Sequence, residues 1–121
     1  MTIKKLIIFI IFIKYIMVYY SDKEFRFVKF QRSKDISKKY DAILENKKTG
    51  RRKTISFGAR GYAQYRDDVN LKLYSNVDHN DKQRRDRYEE RHKGEGNKNR
   101  KYSAGWFSMW YLWRPIGKNP N

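Results

Sequence analysis

The sequence predicts an α+β fold, in which a small antiparallel sheet of two or three strands is followed by two short helices. Two observations support this prediction. Residues 39–57 alternate apolar and polar side chains on both sides of an Asn-to-Gly turn, as a β-hairpin does. Residues 81–92 and 103–113 each begin beside a helix-capping residue and place related side chains at helical spacing. At 121 residues, the chain has room for one small domain.

The strands are predicted from the alternation of side chains. Residues 24–30 are rich in Phe and Val and predict a first strand, although the adjacent Phe27 and Val28 break the alternation. The hairpin follows, with a turn at 46–50 and a return strand at 52–57. Its apolar side chains fall on one face, which we expect to be buried: Tyr40, Ala42, Leu44, Ile55 and Phe57.

A glycine-rich connection follows the hairpin. Gly58 and Gly61 predict a tight turn from sheet to helix, with Phe57 and Tyr62 as core side chains on either side. The connection lacks the Lys-Ser/Thr ending of a phosphate-binding P-loop. Residues 66–78 are interpreted as a mobile insertion, either a loop or a short extra strand.

Two capped helices complete the predicted domain. Asn80 is the expected N-cap of a helix over 81–92, with Gln83 at the reciprocal third position. A mobile linker is expected over 93–101, because it holds two glycines and many charges. Ser103 is expected to cap a second helix over 103–113, which ends before Pro115. We expect both helices to cover one face of the sheet.

The amino-terminal residues 1–16 form an apolar extension with three open interpretations. A basic start before an apolar run is typical of a signal sequence, but no small-residue cleavage site follows. A membrane anchor needs about 20 apolar residues, and Lys14 interrupts this run. The favoured interpretations are that translation starts at Met17 or that these residues form an unstructured or loosely helical extension. The predicted domain is therefore 17–113, with a tail at 114–121.

Charge dominates the composition. The chain has 29 Lys and Arg against 13 Asp and Glu, a formal net charge of +16. Such an excess favours polyanionic partners, either nucleic acid or an anionic membrane surface. With no Cys and two His, we expect neither a metal site nor a cofactor. We also expect no enzymatic activity, because no nucleophile, carboxylate pair or metal set accompanies His92.

Basic residues cluster in two places. On the first predicted helix, Arg84, Arg87, Tyr88 and Arg91 recur at i, i+3, i+4 and i+7 and so share one face. This stripe predicts phosphate contacts, since guanidinium groups suit bidentate binding of phosphate. The alternative is a solvated face whose Arg side chains pair with neighbouring carboxylates. The hairpin and its glycine connection supply a second set: Arg51, Arg52, Lys53 and Arg60.

The second predicted helix is rich in tryptophan. Trp106, Trp110 and Trp113 recur at i, i+4 and i+7. Such a stripe is more often core than interface. The helix is nevertheless aromatic nearly all round, so it predicts either a core or a surface that docks a protein partner.

The region from Lys53 to Trp113 contains three motif strings: KTISFGARGYAQY, DKQRRDRYEERH and SAGWFSMWYLW. Their order and spacing resemble those of a family of short basic proteins encoded by giant nucleocytoplasmic DNA viruses, including mimivirus-like and chlorella-virus-like agents. The resemblance implies a viral protein, located in the virion or in the host cytoplasm. It implies no activity, because none is established for that family.

Together these observations predict a viral accessory or virion protein that binds nucleic acid without sequence preference. The cations named above would contact phosphate, and Tyr62 and Tyr88 would stack or pack beside them. The alternative is a minor capsid or internal structural protein that docks on an acidic viral protein through its Trp-rich helix. Neither hypothesis requires a membrane.

Overall fold

The computed structural model of the protein describes residues 19–94 and 100–114. Three antiparallel strands form a sheet in the order β1-β2-β3, and two α-helices follow, so the predicted α+β class is confirmed with three strands. The strands are β1 (Phe25–Arg32), β2 (Lys38–Asn46) and β3 (Arg52–Ala59); a 3-10 turn (Ser75–Val77) precedes α1 (Lys82–His92) and α2 (Ala104–Tyr111).

A β-bulge explains the broken alternation in β1. Phe27 pairs with Leu44 and Lys29 pairs with Ile43, so Val28 is an extra residue without a partner of its own. An extra residue shifts the following side chains to the opposite face. Phe27 and Phe30 can therefore both reach the core, where their ring centroids lie 4.6 Å apart.

The buried face of the sheet is the predicted one. In the β2–β3 register Tyr40 pairs with Phe57 and Ala42 with Ile55, and all four side chains are buried. Helix α2 covers this face, with the ring of Phe107 stacked on that of Phe57 at a centroid distance of 5.4 Å. A fully buried large side chain such as Ile55 or Phe57 contributes about 1.5–3 kcal/mol through removal from water.

The predicted N-cap is correct for α2 and one residue away from the observed N-cap for α1. Ser103 caps α2 as expected, since its Oγ accepts from the backbone N–H of Trp106 at 3.1 Å. The expected Asn80 cap of α1 is wrong: Asp81 is the N-cap, and its carboxylate accepts from the N–H groups of Gln83 and Arg84. Asn80 instead takes a left-handed turn at φ 52° that precedes the cap. Both residue types cap helices well, so the backbone of the approaching chain decided between them.

Of the two helices in the described ranges, only α2 covers the sheet. Helix α1 lies at one end of it and packs on the residues that follow α2, through Arg85 and through a ring stack of Tyr88 on Trp113. The expectation that both helices cover one face is therefore wrong for α1. The reason is composition: α1 has a single buried side chain, Arg85, and offers no apolar stripe to lay on a sheet.

The segment 66–78 is a loop that includes the 3-10 turn, and it contributes to the core. Val69 and Asp67 are buried within it. The Asp67 carboxylate accepts from the hydroxyl of Tyr40 at 2.5 Å and from the backbone N–H groups of Val69 and Tyr74. The hydroxyl of Tyr40 in turn accepts from the N–H of Leu73 at 2.8 Å. These bonds fasten the loop to the end of the sheet.

Several expectations concern residues outside the described ranges. These are the apolar extension 1–16, residues 95–99 of the linker and the tail from residue 115. In the described part of the chain, no helix has the length and apolar character that crossing a membrane requires.

Candidate nucleic-acid interface

A cleft of about 490 Å³ opens where the sheet, the glycine connection and the two helices meet. We call it the basic cleft. The sheet contributes its end, the connection contributes Tyr62, α1 contributes one face, and the chain after α2 closes the remaining side. The lining residues are Lys38, Lys39, Gly58, Ala59, Tyr62, Ala63, Arg84, Tyr88, Arg91, His92, Ser108, Leu112 and Trp113.

Gly58 allows the floor of the basic cleft to close. Its φ of +78° lies in the left-handed region that favours glycine. A Cβ at this position would lie 2.8 Å from Cδ1 of Leu112 and 3.2 Å from Cβ of Lys39. The glycine is therefore required both by the backbone conformation and by the close approach of these two side chains.

Lys39 holds the wall of the cleft in place. Its side chain is buried, and its ammonium donates to the backbone carbonyl of Tyr62 at 2.6 Å and to the side-chain carbonyl of Gln64. Burial lowers the pKa of Lys39, and the carboxylates of Asp67 and Asp78 oppose that shift. Because its hydrogen bonds go to the connection, Lys39 is a positioning residue and not an exposed ligand.

Tyr62 does not lie in the core, and the expectation that it plugs the core beside Phe57 is wrong. Its side chain is 72% exposed and lines the basic cleft, while Phe57 is buried as expected. The bond from Lys39 to the Tyr62 carbonyl holds the backbone here, and at this backbone position the ring lies outside the core.

Helix α1 presents two of its predicted cations to the cleft. Arg84 and Arg91 are exposed and line it, two helical turns or about 10 Å apart along the axis. Between them the ring of Tyr88 stacks on that of Trp113, with centroids 4.1 Å apart and planes 2° from parallel. His92 lies against Tyr88 at 4.4 Å. The result is an aromatic wall flanked by two guanidinium groups.

Arg85 is the residue that sequence reasoning missed. Its side chain is only 7% exposed, in contrast to its neighbour Arg84. Its Nε donates to the carbonyl of Trp113 at 3.0 Å, and its guanidinium also pairs with Glu89. The Arg–carboxylate pairing expected as the alternative for the Arg stripe therefore occurs at a position outside that stripe. The Arg85 bond joins α1 to the end of α2 and so shapes the cleft.

The electrostatic character of the cleft is one-sided. Among the described residues that line it, four are Lys or Arg and none is Asp or Glu. Within residues 19–94 and 100–114, neither Arg84 nor Arg91 forms a salt bridge. Low-dielectric walls lined by one sign of charge concentrate the local field, so an anionic group is favoured here.

Other predicted cations lie elsewhere. Arg51, Arg52 and Lys53 are exposed at the opposite end of the sheet, about 23 Å from Lys38 by strand rise. Arg60 is half-buried, and its Nε donates to the carbonyl of Lys38 at 3.0 Å, so it braces the approach to β2.

Arg87 and Arg52 also lie away from the cleft. Arg87 is exposed on α1 but does not line the cleft. Arg52 borders a groove on the other face of the sheet, where Lys29 and Lys34 lie beside the carboxylates of Asp35 and Asp41. That groove has mixed charge, so the basic cleft is the stronger anion site.

The Trp stripe is divided between core and cleft. Trp106 is buried against the sheet, whereas Trp110 and Trp113 are half-buried. The buried residues of α2 are Trp106, Phe107 and Met109, with Leu112 directly after the helix. The i, i+4, i+7 spacing of the tryptophans therefore does not mark the core face.

His79 lies behind the aromatic wall. Its Nδ1 accepts from the backbone N–H of Asp81 at 2.9 Å, and its ring lies 5.3 Å from that of Trp113. Its Nε2 is buried without a hydrogen-bond partner in the described part of the chain. Burial lowers the pKa of His79, as does the positive charge of Arg84.

Lys38 is the cleft cation that sequence reasoning did not single out. The hairpin register, extended beyond the predicted strands, places Lys38 opposite Ala59. That pairing brings it beside the glycine connection and thus to the mouth of the cleft.

Comparison with known proteins gives one match. Residues 28–92, which are 65 of the 121 residues, match the model of a family described as a family of unknown function (DUF5754). The match spans most of the sheet, the connection and α1, and ends before α2. No curated protein and no solved structure matches the chain. Since the matched residues are more than half of the sequence, the chain belongs to this family of unknown function, DUF5754.

Proposed function

We propose that this protein binds nucleic acid through phosphate contacts, without sequence preference. The basic cleft is the observation that carries the proposal, because it combines Lys38, Arg84 and Arg91 with aromatic rings and with no carboxylate among its described lining residues. Phosphate contacts supply most of the affinity of sequence-independent binding. The net charge of +16 supports the same class of partner.

The spacing of the cleft cations suits a partner with repeated anionic groups, as in a phosphate backbone. Arg84 and Arg91 present guanidinium groups along one helix face, separated by about 10 Å. A row of such groups suits a chain with repeated anionic groups, and guanidinium binds phosphate in a bidentate manner. The exposed Arg51, Arg52 and Lys53 at the far end of the sheet would add contacts to a longer polyanion.

We further propose that the protein is encoded by a giant DNA virus and acts in the virion or in the host cytoplasm. The resemblance of the strings at 53–65, 81–92 and 103–113 to such viral proteins supports this origin. A protein that packages or protects viral nucleic acid needs charge and tolerance of sequence, and both follow from phosphate contacts.

The test is a binding titration of the full-length chain with fluorescent DNA and RNA of random sequence. We expect affinity to fall steeply between about 50 and about 200 mM salt, since each phosphate contact releases counterions. The double variant Arg84→Ala, Arg91→Ala should reduce the slope of log affinity against log salt by about 1.4–1.8, which is about 0.7–0.9 for each lost contact.

The matched control is Lys82→Ala, Lys93→Ala. It removes the same charge from α1 and its C-cap residue, at exposed side chains that pair with Asp86 and Glu90 outside the cleft. We expect a smaller loss of affinity and of slope than in the Arg pair. Equal losses in the two double variants would refute the cleft as the contact surface, and an absence of binding at low salt would refute the proposed function.

A second candidate function is that of a minor capsid or internal structural protein. The half-buried Trp110 and Trp113 favour it, because aromatic side chains with remaining exposure are common at protein interfaces. An acidic viral protein would match the charge of the chain. Trp113 already stacks on Tyr88 within the molecule, so Trp110 is the residue whose replacement by Ala tests this candidate. Loss of a co-purifying viral protein with nucleic-acid binding intact would support it.

A further inference from the structure

We infer that the basic cleft receives an unstacked base of a single strand, with Tyr62 as its stacking platform. The inference rests on the proposed function and specifies the form of nucleic acid that enters the site. It starts from an unusual side chain: Tyr62 is 72% exposed and yet its backbone is held by a buried lysine. A large ring fixed at its base and open at its face is pre-organised for stacking.

The position of Tyr62 follows from the two glycines of the connection. Gly58 and Gly61 both have positive φ, at 78° and 92°, so the chain turns sharply before and at this point. The ammonium of Lys39 then fixes the Tyr62 carbonyl at 2.6 Å. Ordering the ring on binding therefore requires fixing the side-chain torsions only, which lowers the entropic penalty of association.

Two other aromatic rings that line the cleft already stack on each other. Tyr88 and Trp113 stack on each other at 4.1 Å, and this pair forms a flat wall that supports the cleft. Tyr62 is the most exposed of the aromatic side chains that line it. A base entering the cleft would meet the Tyr62 ring, and its flanking phosphates would lie near Arg84 and Arg91.

The size of the cleft favours a single strand over a duplex. A volume of about 490 Å³ corresponds to a cube of about 8 Å on a side. Pockets of this size hold ligands of the size of a nucleotide. A duplex is wider than the cleft, and its bases are stacked inside it, so their faces are accessible only when the strand is single or a base is extruded. Duplex binding would therefore be confined to exposed cations outside the cleft, such as Arg51, Arg52 and Lys53.

The experiment compares two probes on the full-length protein. One is an oligothymidylate of about 12 nucleotides, within the range of single-strand site sizes, and the other is a random-sequence duplex with the same number of phosphates. We expect tighter binding of the single strand. Tyr62→Ala should weaken it by about 5- to 150-fold, the factor that corresponds to loss of one base–aromatic stack. Tyr62→Phe should retain it, because the ring face remains.

The readouts separate this inference from the proposed function. Tyr62→Ala should weaken single-strand binding much more than duplex binding, and it should not reduce the salt slope, because the ring carries no charge. Because the Tyr62 side chain is exposed, its replacement should not unfold the protein, and a thermal melt of the variant checks this. The inference is overturned if binding depends on salt but shows no preference for the single strand, or if Tyr62→Ala does not weaken it. Either outcome leaves the proposed function standing. No binding of either probe overturns both.

Discussion

Replacing Gly58 by Ala tests whether the floor of the basic cleft is packed as described. Two effects oppose the new methyl group. An L-residue at φ +78° costs about 1–2 kcal/mol relative to the right-handed region. The Cβ would also lie 2.8 Å from Cδ1 of Leu112, a buried side chain with little room to move. Overpacking of this kind typically costs about 1–3 kcal/mol.

Gly50 provides a matched control. Its φ is +72°, close to that of Gly58, but nothing lies within 4 Å of the position its Cβ would take. Gly50→Ala therefore loses stability only through the unfavourable φ. Both variants gain the same stability from the lower conformational entropy of the unfolded chain. We expect the free energy of unfolding of Gly58→Ala to lie about 1–3 kcal/mol below that of Gly50→Ala.

Urea unfolding monitored by tryptophan fluorescence measures this difference. In a Leu112→Val background the clashing methyl is absent, so the excess loss at position 58 should shrink, as expected for residues in contact. Unfolding free energies of Gly58→Ala and Gly50→Ala that agree within about 0.5 kcal/mol would refute the packing argument, because surface changes without a specific mechanism fall in that range.

Two further predictions concern the packing of α1. Arg85→Lys should lower the melting temperature, because an ammonium cannot bridge the Trp113 carbonyl and Glu89 as the guanidinium does. Arg84→Lys, at the exposed neighbour, should not lower it. Equal melting temperatures of the two variants would contradict a structural role for the Arg85 contacts. The lowered pKa of His79 means that the unfolded state binds the proton more readily, so stability should fall as pH drops below the ordinary value of 6.5. Unfolding titrations at about pH 7.5 and about pH 5.5 should show this loss reduced in His79→Gln, and an undiminished loss in that variant would assign it to other groups.

Local pattern was enough to predict the hairpin and the start of α2. The hairpin, its turn and the Ser103 cap depend on residues within a few positions of each other, so alternation and capping chemistry predict them. The broken alternation at Phe27 and Val28 was visible in the sequence, but its meaning was not. A bulge is defined by the partner strand, and the partner of each residue is a tertiary fact.

The candidate site was predicted in part. The Arg stripe of α1 lay at the right spacing, and two of its members, Arg84 and Arg91, line the basic cleft with Tyr88. Arg85, one residue from Arg84, was indistinguishable from them by type. Its burial depends on where the end of α2 lies, which no local pattern in α1 encodes.

By itself the sequence determined the α+β class, the order of the strands and helices, the buried face of the hairpin and the excess of positive charge. These properties follow from periodicity and composition, which act over short distances along the chain. The tertiary structure alone decided that Tyr62 faces outward, that Lys39 is buried, and that cations from strand and helix meet at one cleft. Those outcomes depend on hydrogen bonds and contacts between residues far apart in sequence, such as the bond from Lys39 to the Tyr62 carbonyl.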